Sequence, residues 1–468
     1  MNRIVFTILI AGIASGCRSG APSNPIVDPP LPSHWASSHS STNRAAGEWW
    51  QQFNDPVFDR LAVEALVNNI DLRLAANRLE QATIRLQLDK FSRRPAIEAS
   101  LNTGKQKSSF IGLPFGGGNV MQSQTESHRL NLAARWEVDL WGRIATGQQT
   151  LRLETLAQTL DYHAARHSIV AQVLKNWIQL CEASAQVTLA RENIGILEMA
   201  QKQSLFRHNL GTVTVLDVRL AESNLTMAKA KLEDWLRHQT RLRHSLEAIL
   251  GRYPSGIIQS PPSLPDTFPP IPAGVPADIL KRRPDIAATM SRIHAAETHV
   301  AEGRAGLLPM VNLTASSGTS SDQLKDLLDS NFSVWSLGGN LAQTILLRDE
   351  QKTRINERRS KLNQAILTHR NVVMNAFREV ESALSGDEQL AKQHQYLQAA
   401  SLVSGKALDM AENRYARGVE PFITLLEAQR RFNDTRSQTI ALHRLRIENR
   451  INLHLALGGD ARREHIDP

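Results

Sequence analysis

One stretch of this sequence occurs twice, as Gly211-Thr212-Val213-Thr214-Val215-Leu216-Asp217-Val218 and as Gly418-Val419-Glu420-Pro421-Phe422-Ile423-Thr424-Leu425. A long helical pattern follows each copy and closes with Leu-Gly, at 250–251 and at 457–458. The paired glycines at the two ends keep one separation of 207 residues. In each copy the pattern predicts that a glycine ends one helix, that a short turn follows, and that a second long helix then begins.

The duplication extends upstream, where Asp71, Pro95 and Gly104 pair with Asp285, Pro309 and Gly318 at a separation of 214 residues. The extra residues of the first copy fall in the glycine-rich stretch 116–119, as expected for a loop tip. We therefore predict two versions of one unit, each reading helix, strand, loop, strand, long helix, turn, long helix. The predicted boundaries are a first repeat at 48–253, with strands near 97–107 and 125–137, and a second at 277–458, with strands near 311–319 and 332–341.

Helical spacing of apolar residues predicts the elements between these landmarks. No proline occurs between Pro114 and Pro254, and 143–209 reads as a single helix about 100 Å long. The other helices are predicted at 58–94 with a break at Asn68-Asn69, at 277–308, at 347–417 and at 423–457. Residues 254–276 contain eight of the 20 prolines and predict an extended strap, and 459–468 reads as a polar tail.

Residues 1–16 have the features of a signal peptide, with Arg3 before a short apolar core and small residues at its end. The segment Ala14-Ser15-Gly16-Cys17 resembles the cleavage box of bacterial lipoproteins, although Ala14 stands where that box usually has Leu. Cys17 would then be the lipidated first residue, and the alternative is an ordinary signal peptide cut nearby. Residues 17–47, rich in Ser, Pro and Asn, are predicted to be an extended tether.

Composition excludes several classes of protein. No apolar run approaches the twenty residues of a membrane-spanning helix. The net charge of +8 comes from Lys and Arg scattered among acids, without a nucleic-acid motif, so we expect no nucleic-acid partner. No serine-hydrolase, phosphate-loop or paired-cysteine motif occurs, and we expect neither catalysis, nor a cofactor, nor a metal site. His163 and His167, four residues apart on a predicted helix, lack further ligands and read as surface histidines.

The four predicted strands require an explanation of their own. Four strands cannot close a barrel, and an open sheet edge in lipid leaves backbone groups without hydrogen bonds. If the strands enter a membrane, several copies of the chain must share one barrel. The alternative is a small soluble sheet, which alternation alone does not exclude.

Several motifs together resemble the outer-membrane efflux proteins, the TolC-like channels. These motifs are Trp49-Trp50 with Phe53 and Asp55-Pro56, the segment Trp136 to Arg143, Ile271 to Pro276, Arg282 to Ile286, the turn from Gly418 to Gln429, and Leu457-Gly458-Gly459. The resemblance covers essentially the whole mature chain, and the lipoprotein start resembles the subgroup that serves resistance-nodulation-division (RND) pumps. One departure is the stretch 344–349, where the family commonly has a proline and a glycine pair.

The resemblance implies a mainly α fold with a membrane β-barrel. Three copies would build a 12-strand outer-membrane barrel continued by a 12-helix α-barrel in the periplasm. The implied partners are two further copies of the chain, a periplasmic adaptor, an inner-membrane RND-type transporter and outer-membrane lipid. The implied location is the bacterial outer membrane, with a lipid anchor and a periplasmic extension.

The resemblance also assigns candidate site residues. The two turns would form the adaptor-facing tip, through Gly211, Thr212 and Val213 in the first and Gly418, Val419 and Glu420 in the second. Glu427 and Asp217 correspond to acidic positions at the pore constriction, where a ring of carboxylates attracts cations. The alternative for both is a solvated acid near a helix N-terminus.

The preferred function is a passive exit duct for small molecules in a tripartite efflux system. An exit duct for type I protein secretion would use the same fold. A periplasmic coiled-coil scaffold lipoprotein without a channel is the alternative from another class, and it needs neither paired strands nor a trimer.

Overall fold

The structure is a computed structural model that describes residues 35–36, 48–53, 55–110, 121–265, 276–344 and 348–459. The signal peptide, Cys17, the glycine-rich stretch 116–119 and the tail after Gly459 lie outside these residues, as do 266–275 of the predicted strap.

The described residues form eight α-helices and four β-strands, joined by turns and short 3₁₀ helices. The helices are α1 (Pro56–Asn68), α2 (Ile70–Asp89), α3 (Arg143–Asn209), α4 (Val215–Ile249), α5 (Pro276–Arg282), α6 (Pro284–Ala305), α7 (Arg348–Ala416) and α8 (Phe422–Ala456). The strands are β1 (Ala96–Phe110), β2 (Met121–Val138), β3 (Met310–Ser321) and β4 (Ser333–Ala342). In the described residues, no helix is long and apolar enough to cross a membrane.

The prediction of one unbroken helix over 143–209 is confirmed, since α3 has 67 residues. The prediction of one continuous helix over 277–308 is wrong, because α5 ends at Arg282 and α6 begins at Pro284. Proline has no backbone N–H and clashes with the preceding turn, so it is favoured as the first residue of a new helix.

The predicted break at Asn68-Asn69 is confirmed, and the Asn69 side chain stabilises it. Its Oδ1 accepts a hydrogen bond from the Leu72 N–H at 2.9 Å, which caps α2, and its Nδ2 donates to the Ile249 carbonyl at 2.7 Å. The corresponding break before Pro284 is stabilised by two ion pairs. The Arg283 guanidinium contacts Asp285 at 2.8 Å and Glu379 at 2.7 Å.

The chain divides into two compact units, and the first contains Glu80–Ala157 and Met290–Thr368. Its centre is one antiparallel sheet with the strand order β1-β2-β3-β4. At the corner between β2 and α3, the Asp139 carboxylate accepts hydrogen bonds from the N–H groups of Ile144 (3.0 Å) and Ala145 (2.7 Å). The Trp141 indole donates to the Pro309 carbonyl at 2.7 Å, which fixes the corner against the start of β3.

The two faces of this sheet differ in polarity. Residues opposite one another in the register share a face, and neighbours along a strand alternate. One face carries apolar side chains over all four strands, as the pairs Leu132–Ala99, Trp136–Leu313 and Ala315–Leu337 show. The other face carries polar ones, as the pairs Asn131–Ser100, Glu137–Asn312 and Ser316–Ser336 show. The sheet is therefore amphipathic.

The second unit contains Asp28–Leu79, Gln158–Thr289 and His369–Pro468, and it holds three hydrophobic clusters. The first, called here the first-repeat cluster, joins α1, α3 and α4 with the end of α8 around Trp49, Trp50 and Phe53. The second, called here the second-repeat cluster, joins α5, α6, α7 and the end of α8. The third lies beside the two interhelical turns.

Trp35 departs from the prediction that residues 17–47 are a tether apart from the folded body. Its side chain is only 7% exposed and belongs to the second-repeat cluster. A large aromatic side chain gains too much from burial to remain in water when an apolar cleft is within reach.

The start of the predicted strap is held by a buried acid. Glu247 of α4 is 1% exposed, and its carboxylate accepts hydrogen bonds from the N–H groups of Gly256 (2.6 Å), Ile257 (2.8 Å) and Ile258 (3.1 Å). Three backbone donors compensate a buried charge that would otherwise be costly.

Candidate functional site

The first interhelical turn joins α3 to α4 through Gly211. The Gly211 N–H donates to the His208 carbonyl at 2.8 Å, and the Thr212 N–H donates to the Arg207 carbonyl at 3.0 Å. This pair of bonds is the Schellman arrangement that ends a helix with a left-handed residue, and Gly211 has a φ of 74°. The predicted role of Gly211 as a helix stop is confirmed.

A reciprocal capping box begins α4. The Asp217 N–H donates to Thr214 Oγ1 at 3.3 Å, while Asp217 Oδ2 accepts hydrogen bonds from the Thr214 N–H (3.0 Å) and hydroxyl (2.8 Å). Val213 continues the turn, with its carbonyl 3.1 Å from the His208 ring Nδ1. The first turn is thus fixed on both sides by hydrogen bonds.

The second interhelical turn joins α7 to α8 with the same backbone geometry. The Gly418 N–H donates to the Tyr415 carbonyl and the Val419 N–H to the Arg414 carbonyl, both at 3.0 Å, and Gly418 has a φ of 75°. Glu420 forms an ion pair with Arg414 at 2.9 Å. Pro421 occupies the position before α8, without a side-chain cap. The two turns therefore share a backbone geometry but differ in the side-chain contacts that stabilise them.

Arg207 links the two turns. Its guanidinium donates hydrogen bonds to the carbonyls of Tyr415 and Ala416, each at 3.0 Å, and lies 4.4 Å from the centre of the Tyr415 ring. The last carbonyls of a helix have no partner within the helix, and a cation is favoured there by the helix dipole. Tyr415 is buried against Phe422, with ring centroids 5.4 Å apart. Burial raises the pKa of the Tyr415 hydroxyl, against the opposing effect of Arg207.

Large apolar side chains are exposed on and beside both turns. Six of them have about half to two-thirds of their surface exposed: Phe206, Leu210, Val215 and Leu216 around the first turn, and Val419 and Ile423 around the second. Such side chains on a rigid backbone can bind an apolar surface of a partner protein.

Asp217 is the third residue of α4 and completes the capping box with the N-cap residue Thr214. The sequence allows two interpretations of this residue, a pore-lining acid or an acid near a helix N-terminus. The capping box agrees with the second interpretation. A role at the pore constriction stays a prediction.

Glu427 lies in the second turn of α8, with 58% of its side chain exposed. Its carboxylate is 3.6 Å from Arg430 Nη2, an exposed contact across one helical turn. Exposed pairs of this kind contribute little to stability, so the carboxylate stays available to ions in solvent. Its place at a pore constriction stays a prediction.

Among the described residues, no group of three or more His, Cys, Asp or Glu side chains could hold a metal ion. Burial lowers the pKa of His167 to about 4, so this histidine is neutral at pH 7, and the prediction that it lies on the surface is wrong. Cys17 lies outside the described residues, and its lipidation stays a prediction.

Sequence reasoning missed two features of the turns. The capping box was detectable, since Thr214 and Asp217 stand at the spacing of a Thr-x-x-acid signature directly before a helical pattern. The bridge from Arg207 to Tyr415 was not, because it joins residues 208 positions apart that only the fold brings together.

These turns, the amphipathic sheet and the long helices define a class of protein, and comparison with known proteins identifies it. The sequence model described as "Outer membrane efflux protein" matches residues 61–252 and 275–459. The chain belongs to this family, and it is the outer-membrane channel component of an efflux system.

Named relatives align over most of their length. The outer membrane protein OprJ of Pseudomonas aeruginosa is 28% identical over 90% of this chain and 88% of its own. The pyoverdine export outer membrane protein OpmQ of the same species is 26% identical over 92% and 91%. The toluene efflux pump outer membrane protein TtgC of Pseudomonas putida is 26% identical over 98% and 96%.

Solved structures show the same fold. The outer-membrane channel OprN superposes with a TM-score of 0.86 at 24% identity, covering 95% of this chain and 98% of OprN. The CmeC outer membrane channel of Campylobacter jejuni superposes with a TM-score of 0.87 at 22% identity, covering 94% of each chain.

Proposed function

We propose that three copies of this chain form one duct through the outer membrane, with a shared 12-strand barrel and a 12-helix α-barrel in the periplasm. The observation that carries the proposal is the single four-stranded sheet, in which β1 and β4 are the outer strands. Within the described residues neither outer strand has a partner on its free side. In lipid such edges need partners, and β4 of one copy can supply the partner for β1 of the next.

The polarity of the sheet supports the same arrangement. In a water-filled barrel, apolar side chains face lipid and polar ones face the lumen. Here the apolar face carries Leu132, Trp136 and Leu337, and the polar face carries Asn131, Arg135 and Asn312. A small soluble sheet would need a covering layer for its apolar face, yet Leu337 is 77% exposed and Trp335 80%.

The two interhelical turns are proposed as the adaptor-facing end of the duct. Their hydrogen-bonded backbones and exposed apolar side chains suit a rigid docking surface for a periplasmic adaptor. Through that adaptor an inner-membrane RND-type transporter would deliver small toxic solutes, and the duct itself would remain passive. Relatives named for the export of pyoverdine and of toluene support an efflux role without fixing the solute.

Lipidation at Cys17 is proposed as an additional anchor in the outer membrane. Stable anchoring by lipid alone takes more than one signal, and a closed barrel already holds a protein in the bilayer. The lipid would therefore assist placement, and transport would not depend on it.

Native mass spectrometry of the detergent-extracted protein, combined with planar-bilayer recording, tests the duct. The expected result is a trimer with a single conductance per particle. A stable monomer that conducts, or a trimer that never conducts, contradicts the shared barrel. The second outcome would favour the scaffold alternative.

A further inference from the structure

Trp35 joins the N-terminal segment to the second repeat. Its side chain lies in the second-repeat cluster with Ile286 of α6 and Val380 of α7, and its ring centroid is 6.2 Å from that of Phe377. Next to it, the Ala36 N–H donates to Glu381 Oε1 at 2.8 Å. An aromatic anchor beside a backbone hydrogen bond is a pattern found in peptide-recognition sites.

The same chain then enters the first-repeat cluster, which also contains residues of α8. Fourteen residues later, Trp49 and Trp50 are buried in the first-repeat cluster, which also contains Phe53. Trp49 stacks on His454 of α8, with ring centroids 6.0 Å apart. The two ends of the segment from Trp35 to Phe53 therefore belong to cores formed largely by different repeats.

The strap after the first repeat makes a simpler contact. Ile258 and Leu264 pack on the first-repeat cluster, the core of the repeat that they directly follow. Trp35, in contrast, precedes the first repeat and packs on the core of the second. Sequence proximity explains the strap contact but not the Trp35 contact, which depends on the apolar side chains of the second-repeat cluster and on Phe377 of α7.

We propose that Trp35 and Ala36 dock into a recognition site for the chain's own N-terminal segment, formed by Val373, Phe377, Val380 and Glu381 of α7, and that this docking fastens the N-terminal segment to the second repeat. The apolar side chains of α7 receive the indole, and Glu381 fixes the direction of the chain through the Ala36 N–H. A lipid on Cys17 would then be joined to the body through 18 residues, or at most about 65 Å of extended chain.

Hydrogen exchange of the full-length protein in detergent, read by mass spectrometry on peptides that contain Ala36, tests this site. The Ala36 amide is expected to exchange at least about tenfold more slowly in the unmodified protein than in Trp35→Ala, because a docked amide exchanges only when its local structure opens. Glu381→Ala should also accelerate it, and Trp35→Phe should retain much of the protection. The matched control is Tyr396→Ala, which removes an aromatic side chain that is 76% exposed on the same helix.

Three outcomes overturn the proposal. The first is exchange of the Ala36 amide in the unmodified protein at the rate of an unstructured peptide. The second is equal acceleration by Tyr396→Ala, which would mean that loosening of α7 in general, rather than loss of the Trp35 contact, opens the segment. The third is loss of the protection when lipidation is removed. The variant Cys17→Ala separates docking from lipid anchoring. It should keep the protection, and its loss there would show that the lipid, not the site on α7, holds the segment.

Discussion

At the scale of single residues, Glu247 shows how one buried carboxylate can hold a segment that has no regular secondary structure. Burial acts to raise the pKa of this carboxyl, but the hydrogen bonds from the N–H groups of Gly256, Ile258 and Ile257 outweigh it, and the pKa lies below 4.5. A group whose pKa is lowered on folding contributes stability above its unfolded pKa, and that contribution disappears as the pH falls through the folded value.

We therefore expect Glu247→Gln to lower the free energy of unfolding at pH 7 by about 1–3 kcal/mol. The amide NH₂ group of glutamine cannot accept the hydrogen bonds that the backbone N–H groups donate to the carboxylate. The difference from the unmodified protein should shrink as the pH falls below 4.5. Chemical denaturation at several pH values measures it. A difference that stays constant down to pH 3 would contradict the assignment.

Glu427 is the residue that we predict to set the selectivity of the proposed duct. Three copies of an exposed carboxylate around one axis would attract cations and bind divalent ions. Glu427→Gln keeps the shape and removes the charge, so it should lower cation preference and weaken block by divalent cations in planar bilayers. Glu222→Gln is the control, since Glu222 is an exposed acid beside the first turn and pairs with Arg219 at 2.8 Å. Equal effects of the two variants would mean that Glu427 does not line the constriction.

At the scale of elements, the two interhelical turns require glycine because of its backbone conformation, and not because a side chain would lack space. Nothing lies within 4 Å of a Cβ built on Gly418, so a side chain there meets strain from the positive φ alone. Gly195 in α3 also has open space around its Cβ but has helical geometry. The two glycines form a matched pair in which only the backbone conformation differs.

We expect Gly418→Ala to destabilise the turn by about 1 kcal/mol and Gly195→Ala to be neutral or stabilising by a similar amount. Gly418→Val should strain the turn further, so that the trimer still inserts but crosslinks poorly to its adaptor. Thermal unfolding and crosslinking in cells measure the two effects. Normal crosslinking in Gly418→Val together with failed efflux would place the docking surface elsewhere.

The sequence predicted elements that depend on local signals. The helix over 143–209 has no proline or glycine pair to break it, and the stop at Gly211 follows from backbone sterics that any glycine turn shares. The sequence did not predict the break at Arg283, because the helical periodicity of the apolar residues continues across Pro284. It also missed the burial of Trp35 and the bridge from Arg207 to Tyr415, since both depend on residues far apart in the chain.

At the scale of the whole molecule, the surroundings of the amphipathic sheet distinguish a membrane duct from a soluble scaffold. The adjacent residues Ser336 and Leu337 of β4 lie on opposite faces, Ser336 opposite Ser316 and Leu337 opposite Ala315. Ser316 and Ser336 are joined by a hydrogen bond of 2.8 Å on the polar face, whereas Leu337 is exposed on the apolar face. The same charge placed at these two positions would therefore meet lipid in one case and water in the other.

We expect Leu337→Arg to impair insertion and trimer formation strongly, because an arginine on the lipid face of a barrel costs about 2–4 kcal/mol near the bilayer midplane. Three copies of the substitution in one barrel would multiply that cost. Ser336→Arg should insert and form trimers normally, since its guanidinium reaches the aqueous lumen, and should reduce cation conductance. Heat-resistant trimer on gels of outer-membrane fractions, followed by bilayer recording, measures both. A sheet that tolerates arginine equally at 336 and 337 does not face lipid, and the periplasmic scaffold would then account better for the chain.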